Sequence, residues 1–450
     1  MADQSPPDQN LSLGRNFKIG TFHIGSSMAD VLAAGVWNRV MIQDLGYAAT
    51  PVGFLLALRY FLVPLAVWAG ERSDYTNLWG YRRLPWIWGG RAAMILGYVL
   101  IALSTVELTR YGSHWWFGLV LGFIIASVGY SVSGSTFLAL IYDRSPQHQR
   151  GRAVGIVWTL LLAGYAFSGI LFGRLLPDYT ESGFVALFVG VGALMALIWG
   201  FATWGEEKPQ TDRAQNQSRA PKSNFREDLA GLLQQRSSRL LAGFILLSFS
   251  AGFMQDALLE PFGGAVFGLS TGQTTRFQAY WGGMAILFSL LALWARHKYP
   301  SWTHQRLTAW GVVLMGGSFG LLGLIAFTEI EALLRPSLFL LGIGYGLWNI
   351  GTLGLMVANS RESNAGLDLG VWTMVATVCR GGGILAGGVL FDLFRWGSGE
   401  TATAYGLVFT LAGGVLFASL GVLNQMAQAE TSTYPAAKRE GELILSSSLD

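Results

Sequence analysis

Seven ionisable side chains sit inside otherwise apolar stretches: Asp30, Arg39, Arg59, Arg91, Asp256, Glu260 and Arg380. A charge at the centre of a membrane helix costs about 2.5–3.5 kcal/mol on insertion scales, so such groups face a protein interior and pair there. At a rise of about 1.5 Å per residue, Asp30, Arg59 and Arg380 fall near mid-depth, and Arg39 and Glu260 lie towards one side. The pattern predicts that Asp30 pairs with Arg59 or Arg380. Asp30, Arg59, Asp256, Glu260 and Arg380 are therefore candidates to line a central cavity. Two readings stand open: the charges handle cargo or conformational change, or they are fixed ion pairs holding helices together.

Glu260 precedes Pro261, Gly263 and Gly264. Proline removes an amide donor, so LLEPFGG reads as a broken helix, and broken helices in transporters flank binding sites. A purely structural kink is the alternative. His23 lies in the first apolar stretch. A neutral imidazole can ligate the magnesium of a chlorophyll, or it can bond to a neighbouring helix. The 17 tryptophans offer flat surfaces for a large ring, although interfacial belts account for most of them.

The polar run at 70–83, GERSDYTNLWGYRR, carries Gly70, Asp74, Gly80, Arg82 and Arg83. Glycine permits tight turning, and Asp74 can cap a helix or pair with an arginine. A second run at 142–155 adds Asp143, Arg144, Arg150 and Arg152. Together they read as a charge cluster able to act as a gate. The competing reading makes the arginines purely topogenic.

These side chains need elements to hold them. Hydrophobic residues make up 52% of the 450-residue chain and charged residues 13%, about half the share of a soluble domain. The 59 glycines show no collagen period and suit helices packed closely in lipid. Apolar runs of about 20 residues are long enough to cross a bilayer. They predict spans near 19–42, 49–70, 85–107, 116–142, 153–175, 184–204, 239–262, 277–296, 307–328, 336–358, 367–392 and 403–426. By our count about 21 basic residues flank the spans on one face and about 5 on the other. The rule that basic loops stay inside predicts both termini cytoplasmic. Residues 1–17 lack the basic start and cleavage site of a signal peptide. Residues 205–238 read as a linker, with Phe225, Leu229, Leu232 and Leu233 marking a short amphipathic helix on the membrane face or against loops. Residues 427–450 read as a disordered tail. Two short echoes, MADVL at 28–32 with MQDAL at 254–258, and Gly151, Gly155, Trp158 with Gly366, Gly370, Trp372, fall where a six-helix duplication puts them. The fold expectation is an all-α membrane protein of two six-helix halves, 18–204 and 239–426.

No GxxxxGK[ST] occurs, and no Ser-His-Asp or zinc spacing stands out, so no enzyme is expected. Cys379 is the only cysteine, which excludes an internal disulfide. No basic stripe with interleaved aromatics points to nucleic acid.

The blocks WNRVMIQDLG (37–46), GERSDYTNLWGYRRLPWIWGG (70–90), ALIYDRSPQHQRGRAVGIVW (139–158), LLEPFGGAVFGLSTGQTT (258–275) and GLDLGVWTMVATVCRGGGILAGGVLFDL (366–393) resemble the PucC family. This is the bacteriochlorophyll-delivery branch of the major facilitator superfamily. The resemblance spans about residues 15–425. It implies a twelve-helix facilitator fold in a photosynthetic membrane. It also implies delivery or handover of chlorophyll or bacteriochlorophyll to light-harvesting or photosystem apoproteins, with the pigment as cargo and no required cofactor. Asn38, Arg39, Asp74, Arg82, Arg83, Glu260, Pro261, Thr274 and Thr275 are its motif positions here. The second-half counterpart of the Asp74 loop, RHKYPSWTHQR (296–306), is degenerate. The alternatives are a proton- or cation-coupled transporter of a small polar solute, with Asp30 and Asp256 titrating, and a non-transporting scaffold for antenna proteins.

Overall fold

The computed structural model describes residues 12–146, 149–207, 225–299, 301–361 and 365–447. Eleven helices among them are long and apolar enough to cross a membrane. The twelfth segment, α1, is helical from Leu13 but interrupted. Leu13–Gly20 and Phe22–Val31 are α-helical, and Leu32–Trp37 and Val40–Asp44 are π-helical turns. A π-turn inserts an extra residue into the ladder and often marks a functional position. Here the π-turns begin two residues after Asp30 and flank Asn38 and Arg39. Ser12 caps α1 through the Arg15 amide at 3.3 Å, so the helix starts ahead of the expected boundary at 18.

The remaining spans are α2 (Ala49–Tyr75), α3 (Leu84–Tyr111), α4 (Trp116–Arg144), α5 (Arg150–Leu175) and α6 (Glu181–Thr203). The second half holds α7 (Arg236–Phe253, continued by Met254–Ala257 and Leu259–Phe267), α8 (Phe277–Lys298), α9 (His304–Thr328), α10 (Leu334–Ala358), α11 (Ala365–Ser398) and α12 (Thr401–Ser447). The last helix corrects the expectation of a disordered tail from 427, since it runs through to Ser447.

The duplication is visible in the packing. In the first half α1 packs on α5 and α6, α2 on α4, and α3 on α4 and α6. In the second half α7 packs on α11 and α12, α8 on α10, and α9 on α10 and α12. Each contact recurs six helices later. The halves meet through α2 with α11 and α5 with α8, a pair of contacts that the same shift interconverts. Small residues let these backbones approach. A Cβ at Gly388 of α11 would sit 2.5 Å from the Ala49 carbonyl of α2, and one at Gly173 of α5 would sit 2.5 Å from the Gly272 carbonyl.

Helix α7 is broken, but not at Pro261. The α-helix stops at Phe253, a 3-10 turn covers Met254–Ala257, and a new helix begins at Leu259. Pro261 falls in the first turn of that new helix, where a missing amide costs no intrahelical bond. The short helix Phe225–Leu232 is present and packs on α11. Leu232 is buried. Residues 208–224 of the linker lie outside the described residues.

Candidate functional site

Near mid-depth, α1 and α2 bring Asp30 and Arg59 into an ion pair. Tyr165 of α5 donates to the other Asp30 oxygen at 2.5 Å. In the second half, Arg380 of α11 pairs with Asp256 of α7 at 2.9 Å, and Gln255 donates to Asp256 Oδ1 at 2.6 Å. Tyr60 of α2 joins the two pairs. Its hydroxyl accepts from Arg59 Nη2 at 2.7 Å, and its ring lies 4.8 Å from the Arg380 guanidinium. Phe253 covers Arg380 from 4.2 Å. Of the two options for Asp30, the structure realises Arg59, and Arg380 takes Asp256 instead. These groups are largely enclosed by protein: side-chain exposure is 9% for Asp30, 10% for Arg59 and Asp256, and 26% for Arg380. Arg380 is the accessible cation of the cluster.

Tyr165 was missed in the sequence, although its register announces it. It lies ten residues past Gly155, as Arg380 lies ten past Gly370. Equivalent positions on α5 and α11 thus both contact the aspartate of their half. The first half supplies a neutral hydroxyl where the second supplies a cation.

An aromatic run extends from this cluster. Tyr165 lies 6.1 Å from Trp281 of α8, which lies 5.6 Å from Tyr345 of α10. Tyr345 in turn neighbours Phe253 at 5.8 Å and Trp348 at 5.5 Å. The Trp281 and Trp348 indole nitrogens are buried without a hydrogen-bond partner.

Glu260 does not join the central cluster, which corrects its assignment to the cavity. It is 1% exposed and lies further towards the far side. Asn38 of α1 donates to it at 3.3 Å and Gln278 of α8 at 2.7 Å. Other motif residues gather around it. Arg39 pairs with Asp44 at 2.8 Å and donates to the Leu269 carbonyl at 3.1 Å. Its guanidinium lies against Gly264, where a Cβ would collide with it. Thr275 donates to the Gly35 carbonyl at 3.3 Å, and Thr274 bonds within its own turn to Thr271. Asp392 of α11 accepts from the Ala49 and Thr50 amides that open α2, at 3.0 and 2.7 Å. These contacts seal the halves together on the far side.

On the basic face, Arg83 is the hub. It reaches Asp74 at 2.5 Å and Asp143 at 3.1 Å, and it donates to Ser73 at 2.5 Å and the Gly70 carbonyl at 3.4 Å. Arg82 lies 3.5 Å from Asp74. Asp143 of the second run joins Asp74, Arg82 and Arg83 of the first in one charge cluster, which among the described residues links α2, α3 and α4. Gly80 adopts φ +84°, a conformation that suits glycine. The Arg150 side chain lies outside the described residues. Glu207, read as plain linker, caps α3: its carboxylate accepts from the Arg82 and Leu84 amides at 2.8 and 2.9 Å. Glu206 holds Arg15 and Lys18 of α1 at 2.8 and 2.9 Å. In the second half, the degenerate loop has an Arg296–His304 contact at 2.8 Å and Arg306 on the Ser301 carbonyl at 2.8 Å, and Arg361 pairs with Asp368 at 2.7 Å.

His23 packs beside Phe137, ring centroids 5.4 Å apart, and Trp158 at 6.3 Å. Its Nδ1 is buried with no hydrogen-bond partner. Arg91 is buried between Phe22 and Trp199, 4.3 and 4.5 Å from their rings. Among the described residues no cluster of His, Cys, Asp and Glu is arranged to hold a metal ion.

Comparison with known proteins fits this architecture. The family profile described as "PUCC protein" matches residues 36–431. The chain is 29% identical to Protein PucC of Rhodovulum sulfidophilum, over 86% of this chain and 87% of the relative. It is 28% identical to a Rhodobacter capsulatus protein named "Bacteriochlorophyll synthase 44.5 kDa chain", over 87% of this chain and 90% of that one. The crystal structure of a bacterial homolog of the human lysosomal transporter Spinster superposes with a TM-score of 0.65 at 15% identity, covering 94% of this chain and 96% of that one. The fold is thus the twelve-helix facilitator fold.

Proposed function

The chain belongs to the PUCC protein family, and from that premise we propose that this transporter-like membrane protein delivers (bacterio)chlorophyll during assembly of light-harvesting complexes. One observation carries the proposal: two ion pairs share Tyr60 at the meeting of the halves, beside a run of aromatic rings. A tetrapyrrole is a large flat ring with polar substituents at its edge. Offset stacking on Trp281, Tyr345 and Phe253 suits such a ring. Arg380, the most accessible cation of the cluster, is placed to bind an edge oxygen. His23, with an unpartnered Nδ1, is the candidate to ligate the pigment magnesium.

The pigment is cargo, and the reading needs no resident cofactor and no catalytic step. Antenna or photosystem apoproteins receive the cargo. The setting is a photosynthetic membrane, with both termini cytoplasmic. Movement of the halves about the α2–α11 and α5–α8 contacts would pass the pigment across the site. The basic-face cluster on Arg83 would set the position of α2 against α3 and α4 during that movement.

The test is deletion of the gene in a cell that still makes pigment. Antenna assembly is expected to fall while pigment synthesis continues, and reintroduced wild-type protein restores it. Normal antenna assembly in the deletion strain would overturn the reading.

A further inference from the structure

We propose that Glu260 is a proton-binding site that latches the far-side seal, holding the halves together when protonated and releasing them when ionised. This goes beyond the pigment reading and is independent of what is carried.

Glu260 is 1% exposed, and among the described residues no basic nitrogen forms an ion pair with it. Burying an isolated carboxylate is costly unless it is paired. Among the described residues, the charged groups on the packed elements have partners other than Glu260. Arg39 on α1 is held by Asp44 and the Leu269 carbonyl. Asp256 on α7 is held by Arg380 and Gln255. Tyr405 on α12 lies against Phe262, and Asp392 on α11 accepts the Ala49 and Thr50 amides. The turn Thr271–Thr275 carries no titratable group, Arg276 after it donates to the Gly173 carbonyl at 3.4 Å, and α8 offers the Gln278 amide.

Counting hydrogens points the same way. The Asn38 Nδ2 group faces three acceptors: the Asp256 carbonyl at 3.4 Å, the Ala257 carbonyl at 3.3 Å and Glu260 Oε2 at 3.3 Å. An amide nitrogen carries two hydrogens. A proton on Glu260 turns that oxygen from an acceptor into a donor, which leaves the two carbonyls for the two amide hydrogens. The Asn38 contact at 3.3 Å is long for a charge-assisted bond, which runs at about 2.7–2.9 Å, whereas the Gln278 contact at 2.7 Å falls within that range.

The position makes the proton a conformational signal. Asn38 belongs to the first half, and Glu260 and Gln278 to the second. The seal around them includes Arg39 on the Leu269 carbonyl, Thr275 on the Gly35 carbonyl and the Gly272 amide on the Pro177 carbonyl at 2.8 Å. Closing the seal buries Glu260 and favours its neutral form. Opening the seal hydrates it and favours the carboxylate. Proton binding and sealing therefore stabilise each other by linkage.

The experiment is a distance measurement on the full chain in lipid nanodiscs without pigment. Spin labels go on S113C and E331C, exposed outer ends of opposite halves, in a C379S background. From about pH 5 to about pH 9, a range that brackets a perturbed carboxyl, the wild-type background is expected to gain a longer distance. E260Q, which keeps the shape and removes the charge, is expected to hold the short distance at every pH. A wild-type distribution that ignores pH overturns the proposal, as does an E260Q distribution that still lengthens at high pH. The wild-type titration decides the matter even where E260Q fails to accumulate. Failure of the latch leaves pigment delivery untouched, because no pigment enters the measurement.

Discussion

At the residue scale, the two central pairs are not equivalent. Asp30 is bound by Arg59 and Tyr165, and both members of its pair are at most 10% exposed. Removing one partner of a buried pair leaves an uncompensated charge, at a cost of about 3–5 kcal/mol. D30N is therefore expected to lower the thermal unfolding midpoint in detergent sharply, and D30N with R59Q to recover part of the loss. An unchanged midpoint for D30N would remove Asp30 from any structural role. D256N should cost less, because Arg380 at 26% exposure can rehydrate. The pairing was half legible in the sequence. Burial energetics require that Asp30 find a cation, and depth places Arg59 and Arg380 within reach, but depth alone cannot choose between them. The choice rests on azimuth around α2 and α11, which the aperiodic hydrophobicity of a buried membrane helix conceals. Glu207 was illegible for another reason. A carboxylate at the edge of a polar linker looks solvated until the end of α3 is seen beneath it.

At the element scale, length and hydropathy marked the spans, since a bilayer fixes how long an apolar helix must be. The exceptions are instructive. Helix α1 is interrupted by π-turns beside its polar residues, and α7 breaks ahead of Pro261. Proline signals where a helix cannot have a donor, and the first turn of a new helix meets that requirement as well as a kink does. Close helix crossings give a second prediction. G388A would press a methyl onto the Ala49 carbonyl, and overpacking of this kind costs about 1–3 kcal/mol. G283A, with nothing within 4 Å of its added carbon, should be neutral or slightly stabilising. Thermal unfolding of the two variants side by side checks this. Equal stability would mean that the α2–α11 contact is looser than described.

At the scale of the whole molecule, the packing of six helices recurs in the next six, and the two short sequence echoes were its only traces. Helix packing constrains shape and small residues, so the halves share geometry while most side chains have diverged. Tyr165 facing Asp30 where Arg380 faces Asp256 is one such divergence at equivalent positions. The charge asymmetry of the loops predicts that a reporter fused to the C-terminus reads out on the cytoplasmic side. A reading from the opposite side would invert the topology.

The central claim is an interior site between the halves that accepts a tetrapyrrole. Its most direct test is the absorption spectrum of protein purified gently from pigment-making cells, wild type beside R380M. The account predicts a tetrapyrrole band in the wild type and occupancy weakened about tenfold in R380M, equivalent to a loss of ~1.4 kcal/mol. Wild-type protein that carries no pigment, or R380M that carries as much as wild type, would contradict it.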